Sequence, residues 1–150
     1  MENSNNLSPR LAAIVDAIPL YPGIRVLEIG CGPGAAAREI ASRVGSGFVL
    51  AIDRSEKAIR QAVKSAAGEI ADGHLQYRRV AVEDFVLLPG EQPYDIAFAV
   101  RVGALDGRHP ELEQRALHRI AMALTETGQL FIDGGTPLHE IPLHAYRRYT

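Results

Sequence analysis

The stretch that decides the fold is VLEIGCGPG, residues 26–34, in which a short apolar run ends in three glycines at alternate positions. An apolar run of this length closed by glycine is typical of a strand that is buried on both faces of a sheet. Glycines at 30, 32 and 34 let the backbone, and the start of a following helix, come close to a ligand. We therefore predict a strand, a ligand-binding turn and a helix here. A turn that binds nothing is the alternative.

Strands and helices alternate along the rest of the chain. Ser8 and Ser55 each precede a helical pattern and are predicted to cap a helix. Further strands are predicted at residues 47–53, 75–82, 94–100 and 128–133. The segment 75–82 is the most polar and is predicted to be an edge strand. This alternation predicts an α/β fold in three layers, a doubly wound, mainly parallel sheet of about five strands with helices on both faces.

Length, composition and charge limit the kinds of protein that this chain can be. Its 150 residues predict a single domain over residues 1–150, with residues 1–7 and 136–150 irregular. The net charge of -2, without a basic block, gives no strong nucleic-acid signal. Cys31 is the only cysteine, and no run approaches the ~18 apolar residues of a membrane span, so we expect a cytoplasmic protein. The five histidines lack metal-ligand spacing, so no metal site is predicted.

The polar residues that could bind a ligand fall at or just past the ends of the predicted strands. They are Glu28, the glycine turn, Asp53, Glu83, Asp84, Arg101 and Asp133. Doubly wound sheets bind ligands beyond the carboxyl ends of their strands, where the winding direction reverses. We therefore expect these residues to share one site.

Glu28 distinguishes between the nucleotide ligands that such a turn could hold. No lysine follows Gly34, which argues against a phosphate-binding loop of nucleoside triphosphatases. A dinucleotide fingerprint can be placed on Gly30, Gly32 and Ala35, so an NAD(P)-dependent oxidoreductase stays open as an alternative. A carboxylate at Glu28 would repel a pyrophosphate, but it suits a cofactor that carries a positive charge and no phosphate.

The form VLEIGCGPG resembles the first motif of the class I S-adenosylmethionine-dependent methyltransferases, and the resemblance extends over residues 8–135. It implies a Rossmann-like fold, S-adenosylmethionine as cofactor, S-adenosylhomocysteine as product, and methyl transfer to an acceptor. It implies that the first motif binds the methionine part of the cofactor through Glu28, Gly30, Cys31, Gly32 and Gly34. No catalytic residue is predicted. His109 could accept a proton near the methyl group or cap the helix that begins at Pro110.

The resemblance also implies roles for residues at the other strand ends. Asp53 binds both ribose hydroxyls, and Arg54 lies against the adenine or on the surface. The adenine edge is held by Glu83 or Asp84, or by backbone groups around Val82. Arg101 pairs with the methionine carboxylate or with an acidic substrate, or it makes a surface salt bridge.

The segment after the predicted fifth strand is shorter than in that family, which continues with a helix and an antiparallel pair of strands. The fifth strand is therefore expected at or near an edge, where a partner chain or a second copy in a homodimer could cover it. No acceptor motif is visible, so a small-molecule acceptor is expected. The alternatives are a non-catalytic S-adenosylmethionine-binding subunit and a half enzyme whose partner supplies the acceptor site.

Overall fold

The computed structural model describes residues 7–147, and the predicted alternation of strands and helices is present there. The strands are β1 (Arg25–Ile29), β2 (Phe48–Asp53), β3 (Leu75–Arg79), β4 (Tyr94–Ala99), β5 (Leu124–Asp133) and β6 (Leu138–Ile141). The helices are α1 (Pro9–Ala17), α2 (Ala35–Ala41), α3 (Glu56–Ser65), α4 (Ala67–Ala71), α5 (Pro110–Ala123) and α6 (His144–Arg147). A single 3-10 turn, Val82–Asp84, follows β3.

The six strands form one sheet in the order β3-β2-β1-β4-β5-β6. The first five run parallel, and β6 runs antiparallel to β5. The winding direction reverses between β1 and β4, which places a crevice at their carboxyl ends. The α/β prediction is confirmed, with one strand more than expected, and β3 is an edge strand as predicted.

Two apolar clusters cover the two faces of the sheet. Leu27 and Leu50 pack with residues of α5, including Ile120, on one face. Val26 and Val49 belong to the cluster on the other face, which contains α1 and α2. Alternate residues of β1 and β2 thus enter opposite cores, as a central strand covered on both sides requires.

The helix starts agree with the predicted caps, whereas some element boundaries differ. The Ser8 Oγ accepts a hydrogen bond from the Leu11 N–H, and the Ser55 Oγ accepts one from the Ala58 N–H, each at 3.1 Å. β3 ends at Arg79, three residues before the predicted end, because the chain then enters the 3-10 turn. β5 begins at Leu124, four residues earlier than predicted.

The prediction that residues 136–150 are irregular is wrong for the part that the structure describes. β6 pairs with β5 from Asp133 opposite Leu138 to Leu130 opposite Ile141, and α6 follows. Pro137 and Pro142 flank this strand, where a proline removes no hydrogen bond from the ladder. β5 lies near an edge of the sheet, as expected, and β6 of the same chain covers the side on which a partner chain was expected. Residues 1–6 and 148–150 lie outside the described part.

Candidate functional site

The glycine turn joins the carboxyl end of β1 to α2 with left-handed backbone at all three glycines. Their φ angles are +73° at Gly30, +55° at Gly32 and +91° at Gly34. A Cβ at Gly34 would lie 2.8 Å from Cζ of Tyr77, whose hydroxyl donates to the Gly34 carbonyl at 3.1 Å. A Cβ at Gly32 would meet nothing within 4 Å. Gly34 is thus needed for packing inside the protein, whereas the space beside Gly32 is free for a ligand.

Asp53 ends β2 and links that strand to the glycine turn. Its Oδ2 accepts a hydrogen bond from the Gly32 N–H at 2.9 Å, and its Oδ1 accepts one from the Ser55 N–H at 2.8 Å. Both carboxylate oxygens are held in place, and each keeps a lone pair for a further donor. Asp53 also lines a cavity at the carboxyl ends of the strands. A fixed, half-exposed carboxylate of this kind can accept from two vicinal hydroxyls.

Glu28 lies beneath the turn and is 5% exposed. Its Oε1 is buried without a hydrogen-bond partner in the described part of the chain. Burial, and then the charge of Asp53, raise the pKa of Glu28 to about 8, against an opposing hydrogen bond from the Ala37 N–H. A buried carboxyl oxygen without a partner is uncommon, and a ligand that brings a donor would satisfy it. The residues present therefore fit a cofactor with a cationic group.

Cys31 is buried in the same turn and keeps its proton. Burial is the main factor that raises the pKa of its thiol, and the nearby carboxyls of Glu28 and Asp53 add to the shift. Because the thiolate is the reactive form, this cysteine is not a nucleophile at neutral pH.

A cavity of about 280 Å³ opens at the carboxyl ends of the strands. Six of the predicted site residues line it, namely Gly30, Asp53, Arg54, Val82, Glu83 and Arg101. Asp84 is not among the lining residues, and its Oδ1 pairs with Nη2 of Arg115 on α5 at 2.6 Å. The 3-10 turn thus brings one of the two predicted acids to the cavity and directs the other to α5.

The loop after β4 forms the opposite wall and contains a residue that the sequence did not single out. Arg101 has φ +58°, and its carbonyl accepts a hydrogen bond from Nη2 of Arg108 at 2.6 Å. Arg108 lines the cavity too, but no spacing in the sequence relates it to Arg101. His109 also lines the cavity, and a Cβ at Gly103 would lie 2.5 Å from its ring. His109 occupies the N-cap position of α5 without a capping bond from its side chain.

Residues 7–147 lack both a membrane-spanning helix and a metal-ligand cluster. None of their helices has both the length and the apolar character that crossing a bilayer takes. No group of three or more His, Cys, Asp or Glu side chains there is arranged to hold a metal ion.

The sheet reverses its winding beside β1, where a glycine turn lies between acidic residues at the ends of β1 and β2. Doubly wound sheets bind their ligands in the crevice at this position. The chain belongs to the family described as "Methyltransferase domain", which matches residues 26–128.

Two curated relatives and one solved structure illustrate the likeness. The chain is 33% identical over 81 residues to a ubiquinone biosynthesis O-methyltransferase of Neisseria meningitidis, covering 53% of this chain and 33% of the relative. It is 29% identical over 139 residues to a trans-aconitate 2-methyltransferase of Methylobacterium nodulans, covering 91% and 48%. The chain therefore spans about a third to a half of these relatives.

The solved structure that resembles this chain is that of phosphoethanolamine N-methyltransferase 1 of Haemonchus contortus, in complex with phosphoethanolamine and S-adenosylhomocysteine. It superimposes with a TM-score of 0.67 at 20% identity, over 82% of this chain and 24% of that one. At this identity the match supports the fold alone, which is the doubly wound sheet described above.

Proposed function

We propose that this chain binds S-adenosylmethionine across the carboxyl ends of β1 and β2 and methylates an oxygen of a small-molecule acceptor. The observation that carries the proposal is Glu28, a buried carboxyl whose Oε1 has no partner within the described residues and which lies under an open glycine turn. The choice of oxygen is supported by the names of the relatives, which include an O-methyltransferase.

Most of the predicted cofactor residues have a role in this proposal. Glu28 provides negative charge for the amino group of the methionine part, and the turn at Gly30, Cys31, Gly32 and Gly34 lets that part lie against the backbone. Asp53, already held by two backbone N–H groups, accepts from the ribose hydroxyls. Arg54, Val82 and Glu83 line the part of the cavity next to β2 and β3, where they contact the adenine. Asp84 takes no part, because Arg115 holds it.

The protein's contribution to the reaction is alignment and exclusion of water. When bound, S-adenosylmethionine supplies a methyl group on a positively charged sulfur, which an acceptor oxygen takes while it loses its own proton. Residues of the cavity need to hold the acceptor oxygen in line with that group in a dry pocket. A general base is required only when the acceptor keeps its proton at neutral pH.

The carboxylate at Glu28 also argues against the dinucleotide alternative. A pyrophosphate on the glycine turn would approach the carboxyls of Glu28 and Asp53, and its negative charge would oppose ionisation of Glu28. A cationic, phosphate-free cofactor meets the same two groups favourably. The site therefore supports S-adenosylmethionine over NAD.

Calorimetry with S-adenosylmethionine, S-adenosylhomocysteine and NAD tests the proposal. We expect the first two to bind and NAD to give no heat of binding. Binding of NAD alone would overturn the proposal in favour of an oxidoreductase. Transfer of a labelled methyl group to a panel of hydroxylated small molecules tests activity. Cofactor binding without transfer would favour the non-catalytic subunit or the half enzyme.

A further inference from the structure

Arg101 is the one residue other than glycine with a positive φ in the described part of the chain. Its φ of +58° is in the left-handed region, which is unfavourable for a side chain with a Cβ. Non-glycine residues in this region persist where the surroundings hold them, and such positions cluster at functional sites.

Two aspartates and a second arginine hold this strained backbone from both sides. The Arg101 N–H donates to Oδ1 of Asp133 at 3.1 Å, at the end of β5. The Arg101 carbonyl accepts from Nη2 of Arg108, and Nε of Arg108 donates in turn to both carboxylate oxygens of Asp106, at 2.9 and 3.1 Å. The other oxygen of Asp133 pairs with Arg10 at 3.0 Å. The conformation of Arg101 is thus fixed by contacts to its backbone alone.

The Arg101 side chain is left available by this arrangement. It is exposed and lines the cavity, and within residues 7–147 its guanidinium has no hydrogen-bond or ion-pair partner. The aspartates near it, Asp106 and Asp133, are engaged by Arg108 and Arg10. A free guanidinium on a rigid backbone is prepared to bind a planar anion in two parallel hydrogen bonds.

The charges lining the cavity are divided by the sheet topology. Asp53, Arg54 and Glu83 come from the ends of β2 and β3, whereas Arg101, Arg108 and His109 come from the loop after β4, on the other side of β1. The β4 side has two arginines and no acidic residue in the cavity lining, so it carries net positive charge. It attracts an anionic group, while the opposite side suits the neutral adenosine.

We propose that Arg101 is a specificity-determining residue and that the methyl acceptor is a small carboxylic acid whose carboxylate pairs with the Arg101 guanidinium. The inference rests on the proposed methyltransferase function and names the class of its acceptor. The carboxylate in the methionine part of the cofactor could form the same pair with Arg101. The exposed position of Arg101 favours the acceptor, because Glu28, which meets the amino acid part, is buried below the turn.

The experiment uses the full chain saturated with S-adenosylhomocysteine and titrates it with two matched pairs of probes. The pairs are succinate with succinamide, and 4-hydroxybenzoate with 4-hydroxybenzamide. We expect at least one acid to bind at least tenfold more tightly than its amide. Arg101→Gln should remove that preference, and Arg60→Gln, which removes an exposed arginine outside the cavity, should keep it. Acids that bind no better than their amides, or a preference that survives in Arg101→Gln, would overturn the proposal.

A second arm separates the two sources of the carboxylate. S-adenosylhomocysteine and 5′-methylthioadenosine, which lacks the amino acid part, are each titrated into wild type and Arg101→Gln. We expect the substitution to leave both affinities within about twofold, which also shows that the variant is folded. A tenfold loss for S-adenosylhomocysteine alone would assign Arg101 to the cofactor and overturn its role toward the acceptor. Failure of wild type to bind S-adenosylhomocysteine would instead refute the proposed function itself.

Discussion

The Oδ2 of Asp53 accepts a hydrogen bond from the Gly32 N–H at 2.9 Å, so the end of β2 holds the turn that follows β1. The turn is tied to β2 a second time, because the N–H groups of Gly30 and Cys31 both donate to the carbonyl of Ile52. The carboxylate proposed to bind the ribose is therefore also a support of the glycine turn. Substitution of Asp53 affects two parts of the site at once.

Replacing Asp53 by alanine is expected to weaken S-adenosylhomocysteine binding by at least tenfold, as loss of charge-assisted hydrogen bonds predicts. Asp53→Asn keeps one oxygen for a backbone N–H and should lose less affinity than alanine. Calorimetry measures both. Asp72→Ala, at an exposed aspartate next to α4, is the matched control and should bind as wild type does. Unchanged affinity in Asp53→Ala would show that the ribose is bound elsewhere.

Alanine at the second and third glycines of the turn should separate binding from packing. Gly34→Ala is expected to cost about 2–4 kcal/mol of unfolding free energy, since its Cβ would overlap Tyr77 at a left-handed position. Gly32→Ala meets open space and should cost only about 1 kcal/mol. We expect Gly32→Ala nevertheless to lose S-adenosylhomocysteine affinity, because its methyl group occupies the ligand's space. Urea unfolding and calorimetry check the pair, and equal stability losses would contradict the assignment.

The buried carboxyl of Glu28 should make stability fall as the pH rises. Its folded pKa is about 8, against 4.5 as the ordinary value, so between these two values the folded state holds a proton that the unfolded state has lost. The free energy of unfolding therefore decreases from about pH 4.5 to about pH 8. Glu28→Gln removes this dependence, and its stability relative to wild type should grow over that range in urea titrations. Exposed Glu126→Gln is the control. A difference that does not change with pH would contradict the burial of an unpaired carboxyl.

Two substitutions at Arg101 test the energetic cost of its left-handed backbone, since both remove the guanidinium. Arg101→Gly and Arg101→Ala both remove the charge, but only alanine keeps a Cβ at φ +58°. We expect the glycine variant to be more stable than the alanine variant by about 1 kcal/mol. Left-handed backbone destabilises alanine, and the larger conformational entropy that glycine loses on folding offsets part of the difference. The difference in unfolding free energy follows from the denaturant midpoints of the two variants, provided that their unfolding transitions have equal slopes. If the alanine variant were as stable, Asp133 and Arg108 would not hold the backbone as described.

The central part of the fold could be predicted because its signals are local. Residues 26–29 and 48–53 are apolar runs closed by glycine or aspartate, and burial on both faces requires such runs in central strands. β6 could not be predicted in this way. It has four residues, its middle pair is exposed, and its position depends on pairing with β5 rather than on its own periodicity.

In the candidate site, too, the residues with local sequence signals could be predicted and those that depend on tertiary contacts could not. Asp53 and the glycines were identifiable from their positions at the ends of strands, and the buried state of Glu28 follows from its apolar neighbours. The sequence did not identify which of Glu83 and Asp84 faces the cavity, because one step along the 3-10 turn decides which of them pairs with Arg115. The contacts of Arg101 with Arg108 in the same loop, and with Asp133 at the end of β5, depend on the conformation of that loop and could not be predicted from residue spacing.

The most direct test of the account is the number of protons released when S-adenosylhomocysteine binds at pH 7. At that pH most of the free protein carries a protonated Glu28, because its pKa is about 8. A cationic amino group brought against this carboxyl should ionise it, so calorimetry in buffers of different ionisation enthalpy should show release of close to one proton per site. Glu28→Gln should release none. Binding without proton release in wild type would show that the amino group of the ligand does not meet Glu28, and would contradict the account.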